Sequence, residues 1–238
     1  MEIKDSYIVV AYGDSITKGI VYDEDRSKYA ILKENFTNII ENNIKGPVYN
    51  AGKFGNTIIR GARKMYNDVL KKSPDIVLIE FGGNDCDYNW EDIAKNPNMD
   101  YNPNTDISTF RETLCSMIET LKVNHITPAL MTLPPLDSLK YFNWITKQDS
   151  TSEKNILLWL GTKDKLFNWQ GSYSKMIAEV AKETNTPLID VRTEFLKYSD
   201  YSKFLCKDGI HPNMEGQSLI ASVILTFIKE NYNFLLQH

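Results

Sequence analysis

A serine, a histidine and an aspartate in this chain have the residue types and local spacing that nucleophilic catalysis needs. Ser15 lies in the run Gly13-Asp14-Ser15-Ile16-Thr17, directly after the apolar residues 7–12, so its hydroxyl follows a predicted strand. Near the other end of the chain, Asp208 and His211 are three residues apart. A serine hydroxyl is a weak nucleophile until a base removes its proton, and histidine is the usual base because it titrates near neutral pH. The two ends of the chain therefore supply a nucleophile, a base and an acid that can orient the base.

Histidine is scarce in this sequence, and elimination points to His211. His125 lies at the end of a predicted helix, on the opposite side of the sheet from an active site, and His238 is the terminal residue. The short spacing lets Asp208 meet one ring nitrogen of His211 across a tight turn and leaves the other nitrogen facing Ser15. For His211 alone, a structural role at a helix start is the alternative interpretation. Together with Asp208 and the Gly-Asp-Ser turn, the catalytic interpretation is favoured.

Two further turns, each after a predicted strand, could provide the hydrogen-bond donors that an oxyanion requires. Residues 50–57 follow the second predicted strand, and Gly55 in this segment can bring a backbone N–H close to a ligand. Residues 81–85 follow the third, and the side-chain amide of Asn84 can point inward. Glycine and asparagine are also common in turns that have only a structural role, so each of these turns is a candidate for the oxyanion site and a structural role is the alternative.

These side chains must be positioned by an alternating α/β framework. The predicted strands are residues 7–12, 47–51, 75–81, 127–133 and 187–191, and the predicted helices are residues 29–43, 57–72, 106–124, 172–184 and 212–232. Several strands are nearly continuous apolar runs, as expected for strands covered on both faces. The alternation predicts a parallel sheet with right-handed crossovers and helices on both sides. A length of 238 residues fits one such domain.

Two segments, residues 85–105 and 134–171, interrupt this alternation and contain all four tryptophans of the chain. Loops at the carboxyl ends of parallel strands line the ligand crevice of open α/β folds, so we expect both insertions to border the site. Tyr88, Trp90 and Trp144 are the candidate substrate-binding residues. The alternative is that these aromatic side chains only pack small local cores under the insertions.

Composition argues against several other classes of protein. The net charge is −4, so there is no basic surface for nucleic acid. No apolar run approaches the ~18 residues that span a bilayer, and the N-terminus has no signal-peptide pattern, so we expect a cytoplasmic protein that does not insert into membranes. Cys86, Cys115 and Cys206 are widely spaced and predict no disulfide, and Cys86 is interpreted as a buried thiol. There is no His-Glu-x-x-His motif, which disfavours a metal site.

The segments Gly13-Asp14-Ser15, Gly55, Asn84 and Asp208-x-x-His211 resemble, in the same order, the four sequence blocks of the SGNH hydrolases, also called the GDSL esterase/lipase family. The resemblance runs from residue 12 to residue 212. It implies a three-layer α/β/α, flavodoxin-like fold with a central parallel five-stranded sheet, formed by residues 1–238 as one domain. It also implies hydrolysis of esters without a cofactor.

The resemblance implies a role for each of these residues as well. Ser15 would be the nucleophile and would also donate its backbone N–H to the oxyanion hole. Gly55 would donate a backbone N–H and Asn84 its side-chain amide to the same oxygen. His211 would act as general base and then as general acid, oriented by Asp208.

The nature of the substrate is left open by these motifs. Aromatic residues in both insertions favour a small acyl group, such as acetyl, on a polar alcohol such as a sugar. A lysophospholipase or thioesterase that acts on longer acyl chains is the alternative. A non-catalytic binding module and a flavin carrier are possibilities of other classes, because fold does not determine function. The absence of Gly-x-Ser-x-Gly disfavours the α/β-hydrolase type of serine esterase.

Overall fold

A five-stranded parallel sheet organises the protein, whose computed structural model describes residues 4–237. In chain order the strands are β1 (Val9–Gly13), β2 (Ile20–Asp23), β3 (Lys28–Ile31), β4 (Val48–Asn50), β5 (Ile76–Glu80), β6 (Thr127–Met131) and β7 (Leu188–Ile189). The helices are α1 (Ser15–Lys18), α2 (Phe36–Glu41), α3 (Ile58–Asp68), α4 (Trp90–Lys95), α5 (Ile107–Val123), α6 (Ser138–Thr146), α7 (Ser150–Leu160), α8 (Asp164–Glu183), α9 (Val191–Leu196) and α10 (Met214–Asn231). In the described part of the chain, no helix has the length and apolar character needed to cross a membrane.

The strand order β4-β1-β5-β6-β7 confirms the predicted fold class. All neighbouring strands in this sheet are parallel, and β1 lies between β4 and β5. In the pairing of β1 with β5, Val9 lies opposite Ile76 and Gly13 opposite Glu80. This is the flavodoxin-like order, in which the chain reverses its direction of winding beside the first strand. The carboxyl ends of β1, β4 and β5 therefore meet at the position where such folds form their ligand crevice.

Both faces of the sheet are buried, which explains the nearly continuous apolar strands. Val9 and Ala11 face one core together with side chains of α2, α9 and α10. The alternate residues Val10 and Tyr12 face a second core formed with α3, α5 and α8. Successive side chains of a strand point to opposite faces, so a strand covered on both sides must be apolar at every position.

The helix predicted for residues 29–43 is wrong in its first half. Residues 28–31 form β3, which pairs antiparallel with β2 in a hairpin that places Tyr22 opposite Tyr29. Aromatic and β-branched residues, which favour strands, make up three of the four residues of β2 and two of the four of β3, and polar residues separate the two arms. The sequence therefore contained a signal for the hairpin. The helix in this region begins only after Asn35, whose side chain accepts hydrogen bonds from the backbone N–H groups of Thr37 and Asn38.

The second insertion is largely helical, whereas the first is mainly a loop that contains one short helix. Residues 85–105 contain α4, and residues 134–171 contain α6, α7 and the first two turns of α8. Their apolar side chains form a separate local core, built around residues such as Trp90, Phe142 and Ile156. This core supports the walls of the crevice from outside the central sheet.

Candidate active site

Ser15 lies at the point where β1 ends and the one-turn helix α1 begins, and its side chain is buried. The Asp14 side chain caps this turn by accepting a hydrogen bond from the backbone N–H of Ile16 at 2.8 Å. Gly13 is required by close packing, because a Cβ there would lie 2.2 Å from the backbone oxygen of Glu80 on the neighbouring strand. The turn therefore holds the serine hydroxyl at the carboxyl edge of the sheet.

Ser15, His211 and Asp208 form one continuous set of hydrogen bonds. His211 Nε2 lies 2.9 Å from Ser15 Oγ, and His211 Nδ1 lies 2.6 Å from Asp208 Oδ2, although residues 15 and 211 are 196 positions apart. Asp208 Oδ1 accepts from the backbone N–H groups of Ile210 and His211 at 3.0 and 3.1 Å. Gly209 has a φ of +75°, which permits the tight turn that brings the carboxylate back to the ring.

The turn that contains Asp208 and His211 lies before the last helix and is not part of that helix. Helix α10 begins at Met214 and is capped by the Asn213 side chain, while Pro212 pairs with Leu205 in an isolated antiparallel bridge. His211 lies in a bend between the Asp208 turn and this bridge, and the helix start that was predicted at residue 212 is two residues too early. The orientation of the imidazole comes from the bridge and the Asp208 turn.

Electrostatics keep Asp208 in its charged form. Burial by itself raises the pKa of this carboxyl, but the hydrogen bond from His211 and the two backbone N–H groups outweigh it, so the pKa lies below its ordinary value. A buried carboxylate beside the imidazole stabilises the imidazolium that forms when the base accepts a proton.

Gly55 and Asn84 lie in the same cavity as Ser15 and His211. Gly55 has a φ of +68°, a left-handed conformation that favours glycine at this turn after β4. Asn84 follows β5, and its amide Nδ2 donates to Asp14 Oδ2 at 3.0 Å. This bond uses one of the two amide hydrogens and orients the group, so the second can serve a ligand.

Asp85 joins the two turns that carry these candidate donors, a role that no local sequence pattern indicates. Both of its carboxylate oxygens accept from the backbone N–H of Ile58, the first residue of α3, at 3.0 and 3.2 Å. A negative charge at a helix N-terminus is stabilised by the free N–H groups there. Since α3 begins three residues after Gly55, this contact holds the Gly55 turn at a set distance from the turn that contains Asn84.

We predict that Asp85 makes the stability of the protein depend on pH. Burial raises its pKa from 3.8 to about 6, although the hydrogen bond from the backbone N–H of Ile58 opposes the shift. The folded state therefore holds this proton more tightly than the unfolded chain, and the contribution that favours folding below about pH 4 is lost as the pH rises to about 6. In urea unfolding, wild type should lose up to about 3 kcal/mol relative to Asp85→Asn between pH 4 and pH 7. A difference between the two proteins that stays constant over this range would contradict the assignment.

Asp14 and Glu80 form a pair of buried carboxyls next to Ser15. Burial raises the pKa of Asp14 and of Glu80, and the negative charge of Glu80 raises that of Asp14 further. Glu80 Oε2 accepts a hydrogen bond from Thr17 at 2.8 Å, whereas Glu80 Oε1 has no partner. The pair therefore binds a proton more readily than two separate carboxyls would. No local sequence pattern predicts this pair, because the proximity of the two residues arises only from the pairing of β1 with β5.

The cavity above Ser15 has a volume of about 160 Å³ and a mainly apolar wall. The apolar and aromatic side chains that the two insertions contribute to this wall are Cys86, Trp90, Leu136, Tyr141, Leu166 and Trp169, and Asp87 and Gln170 are the polar ones. Tyr29 and Phe54 border it beside His211. Of the three predicted substrate-binding residues, only Trp90 lines this cavity. Tyr88 packs behind the wall against Trp90 and Trp169, and Trp144 packs against Tyr22 and Tyr29.

Polar groups in the insertion wall are already bonded within the protein. Asp87 accepts from Trp90 Nε1 at 2.7 Å and from the Tyr141 hydroxyl at 2.6 Å. Trp169 Nε1 donates to the backbone oxygen of Cys86 at 2.8 Å. The Cys86 side chain is buried, as expected, and burial raises the pKa of its thiol. The wall therefore presents apolar surface to a ligand, because its donors and acceptors have internal partners.

His125 takes no part in this site, and of the cysteines only Cys86 lines its cavity. His125 is exposed in the connection between α5 and β6, at the opposite edge of the sheet, as predicted. His238 lies outside the described residues. Cys86, Cys115 and Cys206 are free thiols. Within residues 4–237, no group of three or more His, Cys, Asp or Glu side chains is arranged to hold a metal ion.

Comparison with known proteins gives one family match and one curated relative. The family model described as "GDSL-like Lipase/Acylhydrolase family" matches residues 11–219. The uncharacterized lipoprotein YqeF of Bacillus subtilis is 28% identical over 196 residues, which cover 79% of this chain and 72% of that protein.

Solved structures with a similar fold span nearly the whole chain. A lipase/acylhydrolase from Enterococcus faecalis has a TM-score of 0.69 at 24% identity, with 97% of each chain covered. An acetylxylan esterase from Geobacillus stearothermophilus has a TM-score of 0.67 at 20% identity, with 100% of each chain covered. At these identities the likeness concerns the fold.

Proposed function

Because the chain belongs to the GDSL-like lipase/acylhydrolase family and is a carboxylic ester hydrolase, we propose that it removes small acyl groups, acetyl above all, from a polar alcohol such as a sugar. The reaction would pass through an acyl-enzyme on Ser15. The hydrogen-bonded set Ser15–His211–Asp208, with distances of 2.9 and 2.6 Å at the carboxyl edge of the sheet, carries the acyl-enzyme mechanism. The small cavity above Ser15, about 160 Å³, supports a short acyl group.

In the first half of the reaction, Ser15 Oγ attacks the ester carbonyl carbon while His211 Nε2 accepts the hydroxyl proton. The negative charge of Asp208 stabilises the resulting imidazolium through Nδ1–H. The backbone N–H groups of Ser15 and Gly55 and the Asn84 amide donate to the oxyanion. When the tetrahedral intermediate collapses, the bond to the alcohol oxygen breaks and His211 returns its proton to that oxygen.

Water completes the cycle by the same chemistry. His211 removes a proton from a water molecule as it attacks the acyl carbon, and the oxyanion is held by the same donors. Collapse of the second intermediate breaks the bond to Ser15 Oγ, which regains its proton from His211. The products are the free acid and an unchanged enzyme.

The direction of proton transfer indicates where the alcohol and the acyl group of the substrate would bind. The leaving alcohol oxygen must be within reach of His211 Nε2, so the alcohol belongs beside the rings that contact His211, those of Tyr29 and Phe54. Phe54 is 57% exposed, so this side of the cavity is open and can accept a bulky polar alcohol. The acyl group then points toward the apolar wall from the insertions. The acetylxylan esterase that shares this fold is consistent with an acetyl substrate.

A longer acyl chain is the second candidate, and the apolar wall favours it. A dry apolar cavity of 150 Å³ can hold benzene, so a cavity of about 160 Å³ has room for roughly six carbon atoms. An acyl group larger than acetyl would fill this space better, whereas a long lipid chain would require the insertions to move.

A chain-length profile separates these candidates. We would measure kcat/KM for p-nitrophenyl esters from acetate to dodecanoate, and then for acetylated sugars, lysophospholipids and acyl thioesters. The proposal expects the highest values for short acyl groups and activity on acetylated sugars, and a preference for eight or more carbons would overturn it. A wild-type protein inert to all activated esters and to fluorophosphonate probes would instead indicate a non-catalytic binding module.

Substitution of Asn84 by Ala is expected to lower kcat by about 10²–10³ with little change in KM. The amide donates mainly to the charge that develops on the carbonyl oxygen, so its loss affects the transition state more than the bound substrate. Steady-state kinetics on p-nitrophenyl acetate would measure both parameters, with the exposed Asn124→Ala as the matched control. An effect confined to KM would contradict the oxyanion role.

A further inference from the structure

Asp208 has a further side-chain partner that the reaction described above does not use. The hydroxyl of Tyr29, on strand β3 of the hairpin, donates to Asp208 Oδ2 at 3.1 Å. This is the same oxygen that lies 2.6 Å from His211 Nδ1. The hairpin thus contributes a donor to the set Ser15–His211–Asp208, although it lies outside the central sheet.

The ring of Tyr29 also touches the imidazole directly. Its centroid is 5.1 Å from that of His211, in an edge-on arrangement. On its other sides the ring packs against Phe54, Trp144 and Tyr22, with centroid distances of 5.3, 6.1 and 5.4 Å. These neighbours hold the phenol so that its hydroxyl points at the carboxylate while its ring limits rotation of the imidazole.

We propose that Tyr29 is a positioning residue, which holds His211 in line with Ser15 through Asp208 and sets the pH at which this base becomes active. The proposal rests on the proposed function. Burial, and next the negative charge of Asp208, raise the pKa of the Tyr29 hydroxyl, so it remains a donor throughout the neutral range. A second donor on Oδ2 draws charge away from the bond to His211 Nδ1, which weakens the preference of the site for imidazolium.

Other titratable groups near this set come from several elements. Tyr22 and Cys206 act on Tyr29, and Lys140 and Glu24 act on Cys206 in opposite directions. None of these groups is within the set of hydrogen bonds that joins Ser15, His211 and Asp208. The change of one hydroxyl at Tyr29 leaves all of them in place.

The test is the pH profile of kcat/KM for Tyr29→Phe in the full-length protein, which removes only the hydroxyl. We expect the acidic limb to move to higher pH by about 0.5–1 unit, because Asp208 then stabilises imidazolium more strongly. We also expect kcat on the plateau to fall about 10-fold as the imidazole loses its alignment, with KM little changed. Tyr22→Phe is the matched control from the same hairpin and should leave both quantities unchanged.

A second variant separates the ring from the hydroxyl. Tyr29→Met removes both, so it should show the same shift of the limb and a larger loss of kcat than Tyr29→Phe. Melting temperatures would verify that each variant is folded, and the downfield Nδ1 proton of His211, followed by NMR, would report the bond to Asp208 without turnover. An unchanged profile in both variants, or an equal change in Tyr22→Phe, would overturn the proposal. If wild type itself hydrolyses no ester, the proposed function fails instead.

Discussion

Replacement of Ser15 by Ala is expected to reduce kcat at least about 10⁴-fold while the protein remains folded. The variant lacks the oxygen that attacks the ester carbonyl in the proposed mechanism, and no other hydroxyl is hydrogen-bonded to His211 in the described structure. The turn itself does not depend on the side chain of Ser15, because Asp14 caps it and Gly13 packs against β5. Turnover of p-nitrophenyl acetate and the melting temperature would measure the two parts of this prediction.

The controls for this variant are straightforward. Ser116→Ala changes an exposed serine on α5 and should retain full activity and stability. Wild type should be labelled by a fluorophosphonate at one serine, and Ser15→Ala should not be labelled. Near-normal turnover by Ser15→Ala would refute the assignment of the nucleophile.

The second large effect is expected for Asp208→Asn, which should lower kcat by about 10⁴ at neutral pH. The carboxylate receives four hydrogen bonds, from His211 Nδ1, the Tyr29 hydroxyl and two backbone N–H groups. An amide keeps the shape but carries no charge, so it neither stabilises the imidazolium nor holds the tautomer that presents a free Nε2 to Ser15. The kinetics should be measured across pH to separate loss of the base from loss of orientation.

The matched control is Asp200→Asn, which removes an exposed carboxylate without a side-chain capping bond. It should have wild-type kinetics. If Asp208→Asn kept kcat within a few-fold of wild type at all pH values, another group would have to orient His211. Asp208 would then be only a structural part of the turn.

Local patterns were sufficient for most of the central sheet. All five parallel strands lie within or close to the predicted ranges, because burial on both faces leaves an apolar run that few other structures produce. The hairpin β2–β3 was missed since each arm is only four residues long, and a helical pattern starting at Tyr29 competes with it. That error hid Tyr29 from any account of the site.

The positions of the aromatic residues in the two insertions could not be predicted from local sequence pattern. Their aromatic residues were expected either to border the crevice or to form local cores, and the structure divides them between the two. Trp90 and Trp169 line the cavity, while Trp159 packs inside the local aromatic cluster against Tyr88 and Tyr101. Helical periodicity in a short segment does not reveal which of its faces meets a neighbouring insertion, so the division could not be read from local pattern.

Short motifs and hydrophobic periodicity were enough to predict the class of the fold, the family and the residue types available for chemistry. The folded chain was needed to show that residues 15 and 211 share a hydrogen bond, that Asp14 lies beside Glu80, and that Tyr29 donates to Asp208. These contacts depend on strand order and on the path of each crossover. Local free-energy preferences of a few residues do not specify the distance between segments that are far apart along the chain, because that distance is set by packing of the whole sheet and its helices.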